Sequence, residues 1–136
     1  MEGTNLQPKE IAIKQIADER GVLSFLDLPF EVKRFYMISS NTKALPRGNH
    51  AHKKLFQFLF CAQGSMSIKL SDPHRKYSYR LSTATTGILI PPGYWRTLDE
   101  FGEDSICIVM ASEHYDETDY IRDYDEYIEW FERNES

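Results

Sequence analysis

The strongest constraint on the fold of this chain is a succession of short apolar runs, rich in β-branched and aromatic residues and mostly separated by turn residues. The runs are IAIKQIA, VLSFLDL, VKRFYMIS, KLFQFLFCAQG, SMSIKLSD, KYSYRLST, GILIPP and DSICIVMAS. In SMSIKLSD, Met66, Ile68 and Leu70 alternate with polar residues, which predicts an antiparallel strand with one buried face and one wet face. Many short strands at nearly even spacing predict a sandwich, a jelly roll or a barrel.

The C-terminal stretch DETDYIRDYDEYIEWFERNES has a different period. Ile121, Tyr124, Ile128 and Phe131 recur at spacings of three and four residues, with acids and arginines between them. This spacing predicts an amphipathic helix that packs on the outside of the β structure. We find no repeat, linker or low-complexity segment in the 136 residues, so we expect one domain over residues 1–136.

Composition narrows the range of partners. The formal net charge of −5 argues against nucleic acid and against a membrane surface as partner. A small anionic ligand remains open, since it needs only a few local arginines. No apolar run is long enough to span a bilayer, and no signal-peptide pattern begins the chain. Cys61 and Cys107 lie in apolar runs and are predicted to be buried, reduced thiols, which makes a cytoplasmic location the default expectation.

The hexapeptide RGNHAH, residues 47–52, carries the first functional signal. Residues at i and i+2 of a strand face the same side, so His50 and His52 are expected to point together into a barrel. This arrangement resembles the cupins, small jelly-roll barrels in which a His-x-His pair precedes a Glu and a Gly. Here Gln57 and Gly64 follow the pair, and GILIPPGYWR is similar to the second cupin motif. The predicted fold is therefore an all-β cupin jelly-roll β-barrel with a short C-terminal α-helix.

Two departures from the metal-binding cupins decide what the histidines are expected to do. Gln57 stands where those proteins have a glutamate ligand, and Arg96 stands where they have a further histidine. A neutral amide is a poor transition-metal ligand, and a guanidinium group repels a cation. We therefore predict no metal and no cofactor, although His50 and His52 with water could hold zinc loosely. Proton transfer is the alternative, because imidazole titrates near neutral pH, and a purely structural pair fits equally well.

Several arginines lie in or beside these motifs, and the guanidinium fork matches the oxygens of a phosphate. They are Arg20 in DERG, Arg34 in VKRFYMIS, Arg47 just before the histidine pair and Arg96 in the second motif. Tyr36 lies two residues after Arg34 and so shares its strand face. Trp95 could pack on a base or a sugar, or it could belong to the core. His74 and His114 are expected on the surface.

Taken together, the segments DERG, PFEVKRFY, PRGNHAHKKLFQ, PPGYW and ASEHYDETDYIRDYDEY resemble the nucleotide-sugar 3,4-ketoisomerases over nearly the whole chain. Those enzymes are metal-free cupins that act on dTDP-4-keto-6-deoxyglucose. The resemblance implies that a base removes the C3 proton, that an enediolate forms, and that a proton returns at C4. The ketone thereby moves from C4 to C3.

The resemblance also implies roles for the candidate residues. His50 is the expected base at C3, His52 the partner in proton return, and Tyr36 a group near C4. The expected substrate-binding residues are those with guanidinium, amide or aromatic groups near the motifs: Arg20, Arg34, Arg47, Gln57, Trp95 and Arg96. Members of the family are homodimers that exchange N-terminal strands, so the same assembly is expected here.

The family has two product branches that differ in configuration at C4, leading to 3-amino-3,6-dideoxyhexoses of the Fuc3N or Qui3N type. Arg20 is similar to the galacto branch and Arg96 to the gluco branch, so the two residues conflict. We take the galacto type as the working hypothesis. Two other functions stay open at this point. One is a 3,5-epimerase, whose chemistry requires a His–Asp dyad and a tyrosine acid. The other is a catalytically silent cupin that binds a nucleotide sugar.

Overall fold

The computed structural model describes residues 6–40 and 45–135, and these residues form twelve β-strands and one α-helix. Each of the apolar runs predicted as strands contains strand structure. The elements are β1 Lys9–Ala12, β2 Lys14–Asp18, β3 Gly21–Phe25, β4 Arg34–Ser39, β5 Arg47–His52, β6 Gln57–Gln63, β7 Ser65–Ser71, β8 Lys76–Ser82, β9 Thr86–Ile90, β10 Trp95–Asp99, β11 Ile106–Ala111, β12 Tyr120–Ile121 and α1 Tyr124–Asn134.

Ten of these strands form two five-stranded antiparallel sheets. The first has the order β1-β9-β6-β11-β4 and the second the order β12-β5-β10-β7-β8. Strands adjacent in space are often distant in sequence, as in the pairing of β4 with β11 and of β5 with β10. The two sheets contribute side chains to one apolar core. The predicted all-β cupin jelly-roll barrel is confirmed.

The core explains why the alternating runs are strands. Met66, Ile68 and Leu70 on β7 are buried and Lys69 is exposed, as the alternation predicts. Ser67, which the alternation places on the wet face, is instead buried, and its hydroxyl donates to a Glu100 carboxylate oxygen at 2.6 Å. Burying each of the three apolar side chains stabilises the fold by roughly 1.5–3 kcal/mol relative to leaving it exposed. The opposite sheet contributes Cys61 and Cys107, which are register partners and buried free thiols, also as predicted.

The C-terminal helix is confirmed, but it begins later than the sequence pattern suggested. Asp123 is its N-cap, and the Asp123 side chain accepts a hydrogen bond from the backbone N–H of Glu126. This capping interaction sets the start of the helix at Tyr124. Ile121, which we had placed on the apolar face of the helix, instead belongs to β12 and pairs with Ala51 of β5. The helix packs outside the barrel through Tyr127, which is fully buried.

Strands β2 and β3 lie outside both sheets. Among the strands that the structure describes, they pair with each other alone, as a hairpin, and all their residues are exposed. Ile16 is 56% exposed and its cross-strand partner Leu23 is 61% exposed. Within residues 6–40 and 45–135, no helix is long and apolar enough to cross a membrane.

Candidate active site

A β-bulge sets the position of the histidine pair. Strand β5 pairs with β10, and the register shifts so that Arg96 faces His50 while the next residue, Thr97, faces Gly48. Asn49 is therefore the extra residue. Gly48 and Asn49 both have positive φ, 96° and 52°, a backbone region that glycine and asparagine tolerate best. Bulges of this kind redirect a side chain, and here the redirected side chain is His50.

The two imidazoles lie in hydrogen-bonding distance of each other. His50 Nε2 is 3.1 Å from His52 Nε2, and the two rings are perpendicular. His50 Nδ1 lies 3.0 Å from the carbonyl oxygen of Gly48, so the bulge also orients the ring. His52 Nδ1 lies 2.9 Å from Asp119 Oδ2. The result is a continuous chain of polar contacts from the backbone of the bulge to a buried carboxylate.

Asp119 is held in place by the segment that precedes β12. It ends a short 3₁₀ turn, residues Glu117–Asp119, and β12 then pairs with β5 so that Tyr120 lies opposite His52. Asp119 Oδ1 accepts hydrogen bonds from the backbone N–H groups of Lys53 and Lys54, at 3.1 and 2.7 Å. With three donors, the carboxylate of Asp119 is satisfied although only 4% of the residue is exposed.

Burial dominates the electrostatics of the pair. Burial is the largest effect on both rings and lowers the pKa of His50 to about 3 and that of His52 to about 4. The positive charge of Arg96 lowers both pKa values further, while the hydrogen bond to Asp119 acts in the opposite direction on His52. At neutral pH both imidazoles are neutral in the free protein and can accept a proton.

A cavity of about 250 Å³ lies beside the pair. Five of the nine residues predicted for the site line it: Tyr36, Arg47, His50, Gln57 and Arg96. Apolar residues of β4, β6 and β10 complete the wall. The structure thus brings together residues that are far apart in the chain, from four different strands.

Arg96 gives the cavity a buried positive charge. Its guanidinium group donates to Gln57 Oε1 at 2.5 Å and to the carbonyl oxygen of Tyr94 at 3.0 Å, both uncharged acceptors. Arg96 is 2% exposed, and its buried Nε has no hydrogen-bond partner in the part of the chain described here. Gln57 in turn donates to the hydroxyl of Tyr36 at 3.2 Å. The two positions at which metal-binding cupins would have ligands are therefore engaged with each other.

The other predicted residues lie elsewhere. His52 is fully buried behind His50 and does not line the cavity, although we expected both rings to face it. Arg34 does not line the cavity either; its Nη2 is 3.5 Å from the hydroxyl of Tyr120, and its guanidinium is 5.6 Å from the ring centre of Tyr36. Trp95 does not line the cavity and packs against Tyr124 and Tyr127 of α1.

Arg20 is not part of the cavity of its own chain. It lies at the turn of the β2–β3 hairpin, where it is highly exposed and forms an ion pair with Asp18 at 2.5 Å. His74 and His114 are exposed, as expected; His74 Nε2 lies 2.5 Å from a Glu135 carboxylate oxygen.

Sequence reasoning missed two residues of the site, Asp119 and Tyr120. The ring of Tyr120 lies 5.0 Å from that of His50 and 4.4 Å from that of His52, measured between ring centres. Both residues belong to the stretch DETDY, which carried part of the family resemblance but was interpreted as helix. The available signal was that this segment, which contains Asp119, carried part of the family resemblance.

The family follows from a sequence comparison. A model of the family described as "FdtA: WxcM-like, C-terminal" matches residues 7–132. The chain belongs to this family. It is 39% identical over 126 residues to a protein of Aneurinibacillus thermoaerophilus named TDP-4-oxo-6-deoxy-alpha-D-glucose-3,4-oxoisomerase, covering 90% of this chain and 91% of that one.

Solved structures of proteins named 3,4-ketoisomerases have the same fold. QdtA, a sugar 3,4-ketoisomerase from Thermoanaerobacterium thermosaccharolyticum solved in complex with TDP, is 40% identical, with a TM-score of 0.88 over 95% of this chain and 97% of that chain. A 3,4-ketoisomerase from Helicobacter canadensis is 36% identical, with a TM-score of 0.88 over 94% and 99%. The resemblance inferred from the sequence is confirmed at the level of the family.

Proposed function

We propose that this protein is a nucleotide-sugar 3,4-ketoisomerase that converts dTDP-4-keto-6-deoxyglucose to a dTDP-3-keto-6-deoxyhexose. The observation that carries the proposal is the neutral imidazole of His50 at the wall of a cavity that also contains the buried cation Arg96. A base beside a fixed positive charge is what enolisation of a ketone needs. The named activities of relatives at 39% and 40% identity support it.

The site supports the reaction as follows. His50 takes the proton from C3 of the sugar, and the electrons of the C3–H bond pass into an enediolate across C3 and C4. Arg96 stabilises the negative charge, since a cation paired only with neutral acceptors in a buried site interacts strongly with an anion. Return of a proton to C4 leaves the ketone at C3. Tyr36, whose hydroxyl accepts a hydrogen bond from Gln57 Nε2 at 3.2 Å in the same cavity, is proposed to bond the C4 oxygen.

Arg47 and Arg34 are proposed to hold the diphosphate or the sugar. Arg47 lines the cavity, and the guanidinium of Arg34 lies 5.6 Å from the ring centre of Tyr36, which also lines it. Gln57 is proposed to bond a sugar hydroxyl. The configuration of the product at C4 is proposed to be galacto, on the working hypothesis that Arg20 takes part in the site.

Arg20 can take part only through a second copy of the chain, because it lies on a hairpin outside the barrel. We propose a homodimer in which the β2–β3 hairpin packs on the partner and brings Arg20 to the partner's cavity. Exposed apolar side chains support this assembly, with Ile16, Leu23 and Phe25 on the hairpin and Phe35 and Met37 on β4. Patches of this kind mark protein–protein contacts.

The test is proton NMR of dTDP-4-keto-6-deoxyglucose with the protein in D₂O, for the wild type and for His50→Asn. Wild type should produce a 3-keto sugar, and solvent exchange of the transferred proton should place deuterium at C4. His50→Asn should lower kcat by roughly 10³-fold while substrate still binds. His74→Asn, at an exposed histidine, is the matched control and should leave turnover unchanged.

The same experiment distinguishes an isomerase from a protein that binds the nucleotide sugar without converting it. A wild-type protein that binds the nucleotide sugar and leaves its spectrum unchanged is a catalytically silent binder, and the proposed activity is then wrong. Trapping the product with a 3-aminotransferase and reading its coupling constants would assign the configuration at C4. A gluco product would overturn the part proposed for Arg20 in directing the configuration.

A further inference from the structure

The carboxylate of Asp119 points at a histidine that does not line the cavity. His52 is 0% exposed, and its two ring nitrogens contact the Asp119 carboxylate on one side and the His50 ring on the other. We propose that Asp119 is a positioning residue of the proton transfer, which fixes the tautomer of His52 so that His50 and His52 take up and return one proton as a unit. This inference rests on the proposed function and adds the group that controls the pair.

Three contacts determine where the two imidazoles carry their protons. The carbonyl oxygen of Gly48 can only accept, so His50 must carry a proton on Nδ1. The ionised carboxylate of Asp119 can also only accept, so His52 must carry a proton on Nδ1. Each neutral imidazole has one proton, and both are now used. The two Nε2 atoms therefore face each other at 3.1 Å with no proton between them.

A histidine pair that has no proton between its two Nε2 atoms can accept one proton there. Two unprotonated nitrogens at this distance repel, and a proton placed between them replaces the repulsion with a hydrogen bond. All three contacts are then satisfied, and the positive charge gained by the pair is balanced by the carboxylate of Asp119. His50 contacts the substrate, whereas His52 and Asp119 stabilise the added proton and its charge in a buried position.

Asp119 has the surroundings that this role requires. Burial alone would raise the pKa of Asp119, but hydrogen bonds from His52 and from the backbone of Lys54 and Lys53 hold the pKa below its ordinary value. The carboxylate is therefore ionised when the pair is neutral. Backbone donors on Oδ1 leave Oδ2 for His52, which fixes which oxygen faces the ring.

The transfer balances in atoms and electrons. The C3–H bond breaks, its electron pair enters the enediolate, and the proton binds His50 Nε2 and is shared with His52 Nε2. The same pair then gives a proton to C4, and an electron pair of the enediolate forms the C4–H bond. The proton of the C3 hydroxyl passes to the C4 oxygen. The product has a ketone at C3 and a hydroxyl at C4, and the pair regains its neutral state.

Other charged and titratable groups around the pair bear on its pH dependence. Those that act on the charge of His50 or His52 from neighbouring elements are Arg96 on β10, Arg34 on β4, Arg122 after β12 and Glu117 in the 3₁₀ turn. The ring of Tyr120 packs against both imidazoles, and Tyr36 lines the same cavity as His50. The arginines oppose protonation of the pair. Asp119 is the one group in hydrogen-bond contact with His52 that favours it.

The experiment is ¹⁵N NMR of the imidazole rings in the substrate-free protein, combined with kinetics. In the wild type both His50 and His52 should carry their proton on Nδ1. In Asp119→Asn, the amide oxygen should keep the backbone donors of Lys53 and Lys54, so the amide N–H₂ should face His52. The proton of His52 should then move to Nε2, and kcat should fall roughly 100-fold with KM within threefold.

Asp116→Asn is the matched control. Asp116 caps the same 3₁₀ turn and accepts a hydrogen bond from Thr118, but it does not touch His52. This variant should keep the wild-type tautomers and kcat. The pH profile of kcat should shift in Asp119→Asn and not in Asp116→Asn, which separates positioning from loss of turn stability.

Two results would overturn the proposal. One is a wild-type spectrum in which the proton of His52 is on Nε2. This measurement requires neither a variant nor turnover of substrate. The other is an Asp119→Asn protein, folded by circular dichroism, whose kcat lies within twofold of the wild type. Because the wild-type tautomers are read without substrate, they test Asp119 even if the proposed isomerase activity fails.

Discussion

The barrel and the β2–β3 hairpin differ in where their apolar residues lie. In the barrel, alternating strands from two sheets bury Met66, Ile68 and Val109 in one shared core. In the hairpin, the cross-strand pair Ile16 and Leu23 is more than half exposed. Apolar strand residues are thus covered by a second sheet in the barrel, whereas those of the hairpin are left uncovered within the chain.

The difference shows what each region requires to be stable. A two-stranded hairpin is marginal in water on its own, because it has no second layer to cover its apolar face. The hairpin touches the barrel through Gln15, whose side chain donates to the carbonyl oxygen of Ala84 at 3.0 Å. We infer that contacts within the chain are enough to fold the barrel, whereas the hairpin is ordered by contacts with the partner in the dimer proposed above.

The largest effect is expected from a charge on the apolar face of the hairpin. Leu23→Glu should weaken dimerisation by roughly 10³-fold, because it removes apolar burial and would bury a carboxylate at the interface. Ser24→Glu is the matched control, since Ser24 lies on the opposite face of the same strand. Sedimentation equilibrium measures both. A Leu23→Glu protein that stays dimeric at the wild-type affinity would contradict the assignment of this face.

A comparison of two glycines should show the next largest effect. Gly48 in the barrel bulge and Gly21 in the hairpin turn both have positive φ, 96° and 126°. A Cβ on Gly48 would lie 2.9 Å from the carbonyl oxygen of Arg96, whereas nothing lies within 4 Å of a Cβ on Gly21. Gly48→Ala should therefore cost about 3 kcal/mol, and Gly21→Ala about 1 kcal/mol, in the free energy of unfolding.

Urea denaturation of the two alanine variants tests this ordering. Gly48→Ala should also lower kcat, since the carbonyl of Gly48 orients His50. Equal costs at the two positions would mean that the bulge relaxes around the added methyl group, and that its close approach to β10 does not fix the position of His50.

The barrel was the more predictable region, for a physical reason. Strand alternation is local, so the pattern around Met66 and Ile68 was enough to predict the strand and its buried face. The contact of His52 with Asp119 spans 67 residues of sequence and depends on β12 lying beside β5, which no local pattern encodes. For the same reason, spacing alone placed both histidines in the cavity, whereas the bulge and β12 leave only His50 there.

The last of these effects is in acid stability, and it should arise in the barrel. The folded-state pKa of His52, about 4, lies below its unfolded value near 6.5, and that of His50, about 3, does as well. Between these values the unfolded chain binds more protons than the folded one, so stability is present above pH 6.5 and is lost as the pH falls towards 4. Two such groups give a slope of at most about 2.7 kcal/mol per pH unit.

Thermal or urea unfolding between pH 7 and pH 4.5 measures this slope. His52→Asn should reduce it to about half, because one of the two buried histidines is gone. Asp18→Asn removes an exposed hairpin carboxylate whose pKa is lowered by Arg20, and it should leave the slope unchanged over this range, since Asp18 is ionised throughout. An undiminished slope in His52→Asn would mean that the ring of His52 is protonated in the folded protein. In that case the pair already holds its shared proton before substrate binds.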